Sequence, residues 1–459
     1  MAGMVVKNNM SAVNTLNTLN KNHAALSKSL QKVSSGMRIN SAADDASGYA
    51  ISERMRVQIR SLDQDNRNTQ NGNSMMKVAE GAVSSTVEIL KTLKEKVINA
   101  ANDTNTDSDR QQIQKELDQS IDQINDNANV TYNGKYLVDG SHNRTVNTDA
   151  TGTNKYGTVT HLTNESLDKS TNFNTVLTDL KNRNGESLNI QSGDTCTVSV
   201  VVEGKTYTTS FKVGTSNNLT AALITNANKA VCGTNTLSTT VSLETASTDY
   251  NIGTGSAGTI VTTADLGSAL TIRSNATATA STVEKQIAGF TICITDANGN
   301  INKSANAVLD NFSESIRAQN FSEDNAIVLQ TGTKANQAIK VGMTDMRAQA
   351  LGLQGKDGTT LNVSTQKNAN AAINVLDNAI QKALDQQTTI GAIESRLEYT
   401  SANLTTASEN VQASESTIRD ADMAKEMTEY TKNNVLLQAA QSMLAQANQN
   451  SSSVLSLLQ

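Results

Sequence analysis

The stretch IGAIESRLEYTSANLTTASENVQASESTI, residues 390–418, places small or apolar side chains at Ile390, Ile393, Leu397, Thr400, Leu404, Ala407, Val411, Ser414 and Ile418. The steps alternate three and four without a slip, which is a narrow coiled-coil seam rather than a broad globular face. Far upstream a matching seam runs Met76, Ala79, Val83, Thr86, Leu90, Leu93, Val97, Ala100. A third occupies Leu16, Leu19, His23, Leu26, Leu30 and Val33, and stops at Ser34-Ser35-Gly36, where Gly36 suits the left-handed residue after a helix. Leu436, Ala440, Met443 and Ala447, then Val454 and Leu457, form the last. Asn40 or Ser41 restarts a helix as N-cap, with Asp44 completing a capping-box spacing from Ser41. A shorter helix carries Ile113, Leu117, Ile121 and Ile124. Seams of one kind at both ends of the chain predict that the N- and C-terminal helices pack together as a coiled-coil-like bundle. Ala79, Thr86, Thr400 and Ser414 make that packing close and weak at each position.

Between about residue 170 and 310 the period changes from helical to alternating. Thr195–Val201 and Thr206–Val213 read as strands joined through Glu203-Gly204-Lys205. Phe290–Thr295 followed by Asn298-Gly299 reads as a second hairpin with a type I′ turn. The expected fold class is mainly α with inserted β. Its divisions are a terminal coiled-coil core domain (1–40 with 419–459), a helical rod (41–168 with 312–418) and one or more β-rich outer domains (169–311).

Composition narrows the function. The 459 residues have room for about two to four domains. Only 37% are hydrophobic and 3% aromatic, so cores must be thin; the absence of Pro leaves long helices unbroken. A net charge of −6 argues against a nucleic-acid binder. No apolar stretch is long enough to span a membrane, and the first thirty residues lack the apolar region of a cleaved secretory signal.

No motif for chemistry survives inspection. Cys196, Cys232 and Cys293 are an odd set with no metal or redox spacing. Gly253-x-Gly255-x-x-Gly258 lacks the preceding strand and following helix of a dinucleotide site. Asp296-x-Asn298-x-Asn300 starts like a calcium loop but has Ile301 at the sixth position and Ala307 at the twelfth. His23, His142 and His161 are scattered. The expectation is a non-enzyme with no metal and no cofactor.

Several blocks do resemble one family. Ser34-Ser35-Gly36-Met37-Arg38-Ile39-Asn40-Ser41-Ala42-Ala43-Asp44-Asp45-Ala46-Ser47-Gly48 is similar to a signature of bacterial flagellins. Less specifically, so is Asp345-Met346-Arg347-Ala348-Gln349-Ala350-Leu351-Gly352-Leu353. The runs Ile418–Met427, Met443–Gln449 and Val454–Leu458 follow in the family's order. The resemblance covers about residues 1–165 and 320–459, with 170–310 in the family's variable outer region. One departure is Asn450-Ser451-Ser452, where the family often has a Pro.

The resemblance implies a homopolymeric, extracellular filament subunit used for swimming. It implies a flagellar export apparatus that needs no cleaved signal peptide, an export chaperone and a filament cap as partners, and no nucleic acid or membrane. Unpartnered seams this poor in apolar area favour terminal helices that order only against neighbours. Alternatives of other classes are a hook–filament junction protein, a secreted filamentous adhesin, and a flagellin carrying an enzyme in its outer domain. At the joint between the first two helices, Arg38, Asp44 and Asp45 are expected to meet Arg419, Asp420 and Asp422, with Asp44 paired to Arg419. The resemblance also implies a host innate immune receptor that reads Leu90–Asn102. Here Glu95 is kept, while Thr92 stands where an Arg is usual and Lys96 where a Leu is usual; Lys91 and Lys94 flank them.

Overall fold

The computed structural model describes residues 9–144, 160–164, 166–168, 171, 175–215, 270–273, 283, 286–320, 322 and 324–457. Cys232 and the Gly253–Gly258 match lie outside the described residues, as do the side chains of Val454 and Leu457. The helices are α1 (Met10–Ser35), α2 (Ala46–Ala101), α3 (Asp107–Ala128), α4 (Lys303–Leu309), α5 (Ala348–Leu351), α6 (Gln366–Arg419) and α7 (Met423–Leu457). The strands are β1 (Thr131–Tyr132), β2 (Lys135–Tyr136), β3 (His161–Asn164), β4 (Thr195–Val202), β5 (Lys205–Lys212), β6 (Leu270–Arg273), β7 (Ile287–Thr295), β8 (Phe312–Ile316), β9 (Ile327–Gln330) and β10 (Ala338–Val341). The chain is mainly α with β inserted between its helical ends. It divides into two compact units: residues 1–70, 330–338 and 399–459, and residues 71–329 and 339–398.

In the first unit α1 and α7 lie antiparallel, as three side-chain bonds show: Asn9 to the Ala447 carbonyl, Asn22 to the Leu436 carbonyl, and Asn433 to the Ser29 hydroxyl. Asn9 caps α1 by accepting from the Ala12 N–H at 3.0 Å. Gly36 closes the helix at φ 69°, its N–H returning to the Lys32 carbonyl. The restart of the chain differs from the expected cap. Helix α2 begins at Ala46, and the Asp45 carboxylate accepts from the Gly48 N–H at 2.9 Å. Asp44 instead braces the preceding turn, accepting from the N–H groups of Asn40 and Ser41. A carboxylate directly before the first helical residue reaches a free N–H more easily than one two residues back.

In the second unit α2, α3 and α6 share one core. Met76, Ala79, Val83, Leu90, Leu93 and Val97 are buried with Leu117, Ile121 and Ile124, and with Val375, Leu376, Ala379, Ile390, Ile393 and Leu397. Alanines fill much of the α6 face (Ala369, Ala371, Ala372, Ala379, Ala383), so the helices approach closely, as a chain poor in aromatics requires. Arg110 on α3 is buried and donates to the Ala100 and Asn102 carbonyls, satisfying the end of α2. Thr106 and Asp109 form a complete capping box at the start of α3.

Among the described residues, β3 to β8 form two three-stranded antiparallel sheets, ordered β5-β4-β7 and β6-β3-β8, while β1 pairs with β2 and β9 with β10. Cys196, Val198, Val200, Phe290, Ile292 and Ile294 join Leu162, Leu177, Leu180, Leu188 and Leu309 in a second core. Phe290 and Phe312 meet edge to face at 5.0 Å. Burial pushes the Cys196 thiol up to about 12, so it behaves as a small hydrophobe.

The turn chemistry departs from expectation. The type I′ geometry belongs to Glu203-Gly204, at φ 53° and 72°, between strands one residue displaced from those read in the sequence. At Asn298-Gly299 only the glycine has positive φ. The Asp296 carboxylate gathers the N–H groups of Asn298 and Asn300, and the chain turns back for one antiparallel bridge, Ile301 with Thr295, before it enters α4.

Asp310 ends α4 and accepts from the Ile292 N–H at 3.4 Å and the Asn374 amide at 3.2 Å. Burial raises its carboxyl from an ordinary 3.8 to about 7. The folded form therefore binds this proton more tightly than the unfolded chain does. Its stabilisation is complete below the unfolded value and is lost as pH rises toward 7. Asp310→Asn, which keeps an acceptor oxygen but cannot ionise, is expected to stabilise the β core near pH 8 by about 2–4 kcal/mol at most and to change little near pH 4. Urea unfolding at the two pH values checks this; equal effects at both would contradict it.

Candidate assembly interface

Along α1 a line of half-buried positions runs Ala12, Thr15, Leu19, Asn22, Leu26 and Val33, with Ser29 buried among them and Lys32 half-buried beside it. On α7 the line is Tyr430, Asn433, Leu437 and Leu444, with Ala440 and Ala447 buried in it and Glu426, Glu429 and Asn434 half-buried at its side. Both lines step three and four. The seam read in the sequence is therefore right in period and displaced in phase. Leu19, Leu26, Val33, Ala440 and Ala447 lie in it, whereas Leu16 and Leu30 are 45% and 51% exposed, and Leu436 and Met443 are 43% and 63% exposed. The physical reason is the polar content of the real seam. Asn22, Ser29 and Asn433 turn inward because their hydrogen bonds cross between the helices, and hydrophobicity alone points to the neighbouring leucines. The displaced leucines are left exposed, as are Met10, Val13, Met427 and Val435 on the same two helices. Val411 and Ile418 on α6 are half-buried, and Leu404 is 9% exposed.

The two interruptions of the helical chain face each other. The Arg38 N–H donates to the Arg419 carbonyl at 2.7 Å, and the Ala421 N–H to the Gly36 carbonyl at 2.9 Å. Arg419 is the buried centre of this joint. It donates to Glu53 at 2.6 Å and to Ser52, contacts the Met37 sulfur, and lies over the Tyr49 ring at 5.4 Å. That guanidinium holds the Glu53 carboxyl below its ordinary range. Arg56 adds a second link to Glu415 at 3.0 Å.

The expected Asp44–Arg419 pair is not formed. Asp44 pairs with Lys28 at 2.9 Å, which together with the Asn40 and Ser41 N–H groups holds its carboxyl down at about 2. Arg38 donates to the Ile418 carbonyl at 2.7 Å, Asp420 accepts from Ser416, and Asp422 caps α7 through the Ala424 and Lys425 N–H groups. Backbone groups left free at three helix ends thus take most of the charges that the sequence suggested would pair. Glu53, Arg56 and Glu415 have no sequence signal, since charged residues on long helices are common. Gly36 and Met37 were visible inside the signature block.

Further along α2, Lys91 pairs with Glu88 at 2.8 Å, and the Thr92 hydroxyl donates to the Glu88 carbonyl. Lys94 pairs with Asp377 on α6, and Lys96 with Glu116 on α3 at 3.1 Å. Glu95 is exposed. Two of the lysines therefore tie helices together.

If the joint is built this way, Asp44→Lys weakens it, and Lys28→Glu on that background recovers about 0.5–1 kcal/mol. Arg419→Glu recovers nothing, because its loss leaves Glu53 without a buried partner. Double-mutant cycles in urea decide between the two pairings.

The bacterial flagellin N-terminal helical region matches residues 6–143, and the C-terminal helical region matches residues 373–458. A flagellin of Clostridium tyrobutyricum is 33% identical over 97% of this chain and 99% of its own length. A flagellin of Bacillus subtilis is 28% identical over 99% of this chain and all of its own. A flagellar filament 33 kDa core protein of Treponema phagedenis is likewise 28% identical, over 99% of this chain and all of its own. Helical regions matching at both ends, and relatives alike along nearly their whole length, assign the chain to the bacterial flagellin family.

Proposed function

We propose that the chain is a structural subunit that polymerises into the flagellar filament, for swimming, through the apolar side chains left exposed on the paired α1 and α7. The observation that carries this is the displaced phase: Leu16, Leu30, Leu436 and Met443 are exposed, outside a seam whose inward positions include Asn22, Ser29, Asn433, Ala440 and Ala447. Exposed apolar patches of this kind mark contacts with other chains. A head-to-tail contact that does not close generates an open helical array. The terminal pair (1–40 with 419–459) then supplies contacts between subunits, while the rod (41–168 with 312–418) and the β-rich segment (169–311) are further domains of the same subunit. The flagellin resemblance supports the export apparatus, export chaperone and cap as partners, export without a cleaved signal and an extracellular filament. The family is structural, and the reading assigns no residue to catalysis.

Leu16→Glu with Met443→Glu should abolish seeded polymerisation while leaving helicity within about a tenth of the parent, because neither side chain lies in the α1–α7 seam. Electron microscopy after seeding checks it. Filaments of normal length from this variant would sink the reading, and short caps in place of filaments from the parent would favour a junction protein.

The receptor-reading stretch is proposed as a weakened one. Thr92 gives up the forked donor of an Arg, which a lysine reproduces only as a point charge. Lys96 puts an ammonium, held by Glu116, where a buried Leu is usual. Thr92→Arg with Lys96→Leu should raise receptor activation in a reporter assay at least about tenfold, since hot-spot side chains are worth roughly 2 kcal/mol each. A parent already as potent as the double variant would refute this.

A further inference from the structure

Strand β7 is paired with β4 along one side. Among the described residues its other edge meets backbone only at its end, where Ile301 bridges Thr295 and the Asn302 N–H donates to the Ile294 carbonyl; the rest is covered by side chains. The Ile292 and Ile294 N–H groups donate to Asp310 and Asn306, at the end of and within α4. On the same edge the Phe290 and Ala288 carbonyls accept from the Asn374 and Asn378 amides of α6, at 3.4 and 2.9 Å. Lys382 continues the series, donating to the Gln286 side chain at 3.2 Å and pairing with the buried Glu314 at 3.1 Å.

The contacts run antiparallel, four helix residues for every two strand residues: 374 with 290, 378 with 288, 382 with 286. Four helical residues advance about 6.0 Å and two strand residues about 6.6 Å, so the two repeats stay in step over three rungs. The long Lys382 side chain takes up the remainder at the third. Gly289 allows the approach: a Cβ there would lie 2.6 Å from the Val375 Cγ2, which sits between the first two rungs on α6. Unpaired edge groups left dry are costly, and a bare edge invites pairing with another strand.

We propose that α6 acts as a surrogate edge strand, and that Asn374, Asn378 and Lys382 are positioning residues that set the register of the inserted β body on the helical core. A slip by one helical turn would break every rung and press Val375 against a residue other than Gly289. The inference goes beyond terminal-helix assembly and does not depend on it, because its test is read on the unassembled chain.

The test is hydrogen exchange of the 286–295 amides in the full-length monomer. Asn374→Asp with Asn378→Asp keeps the side-chain shape but turns an acceptor toward each carbonyl. Near pH 7.5 exchange should run at least about tenfold faster than in the parent, the equivalent of one lost hydrogen bond. Burial at this edge, which raises the adjoining Asp310 to about 7, also raises these carboxyls above the ordinary range. Near pH 4.5, with Asp310 protonated too, they are donors, and the ratio to the parent at that pH should fall within about threefold. Asn374→Ala with Asn378→Ala should stay fast at both. Parent-like exchange of the aspartate variant near pH 7.5, the same behaviour of both variants at both pH values, or global loss of helicity in either would overturn the proposal. Each would show that these side chains do not set the register through hydrogen bonds to the strand.

Discussion

The α1–α7 seam is the contact on which the rest of the account turns. Along it only Ser29, Ala440 and Ala447 are buried, and three of its bonds are made by asparagine side chains. Small residues let the helices approach but bury little apolar area, and inward asparagines fix register at a cost in stability. A pair built this way holds its alignment without becoming self-sufficient. Leu19, Leu26, Leu437 and Leu444 are only half-buried in it, and Leu16, Leu30, Leu436 and Met443 lie outside it, exposed. On the proposed reading, alignment within the subunit and cohesion between subunits are divided between neighbouring faces of the same two helices.

The same division recurs deeper in the chain. In the second unit, alanine-lined helices pack closely, and Arg110 and Asn378 supply hydrogen bonds where a larger core would supply area. With aromatics at 3%, polar side chains that satisfy backbone groups do much of the positioning. The joint follows this pattern, since Arg38 and Asp422 serve helix ends and Asp420 holds the Ser416 hydroxyl, while the buried Arg419 gathers Glu53, Ser52, Met37 and Tyr49. Arginine suits that role because its planar fork can serve several acceptors and stack on a ring together.

What the sequence made legible follows from which interactions leave a periodic trace. The Met76–Ala100 and Ile390–Leu397 seams repeat along helices whose buried faces are apolar, and the structure buries them. On α1 and α7 the apolar pattern names outward positions, because the inward line contains Asn22, Ser29 and Asn433, which a hydrophobic reading discards. Strand positions at Thr195–Val202 came within a residue, but the turns exchanged types: Glu203 accepts positive φ and Asn298 does not. Pairings such as Lys28–Asp44 and Arg56–Glu415 depend on how distant segments meet, and nothing local encodes them. The register of β7 on α6 was invisible for the same reason, although its Asn374, Asn378 and Lys382 spacing can be recognised once the strand is known to lie there.

A cryo-electron microscopy map of the assembled filament at side-chain detail tests the central claim most directly. It should show Leu19, Leu26, Ala440 and Ala447 packed within each subunit, and Leu16, Leu30, Leu436 and Met443 buried against neighbouring subunits. A filament in which those four face solvent, or in which α1 leaves its own α7 to pair with a neighbour's, would contradict it.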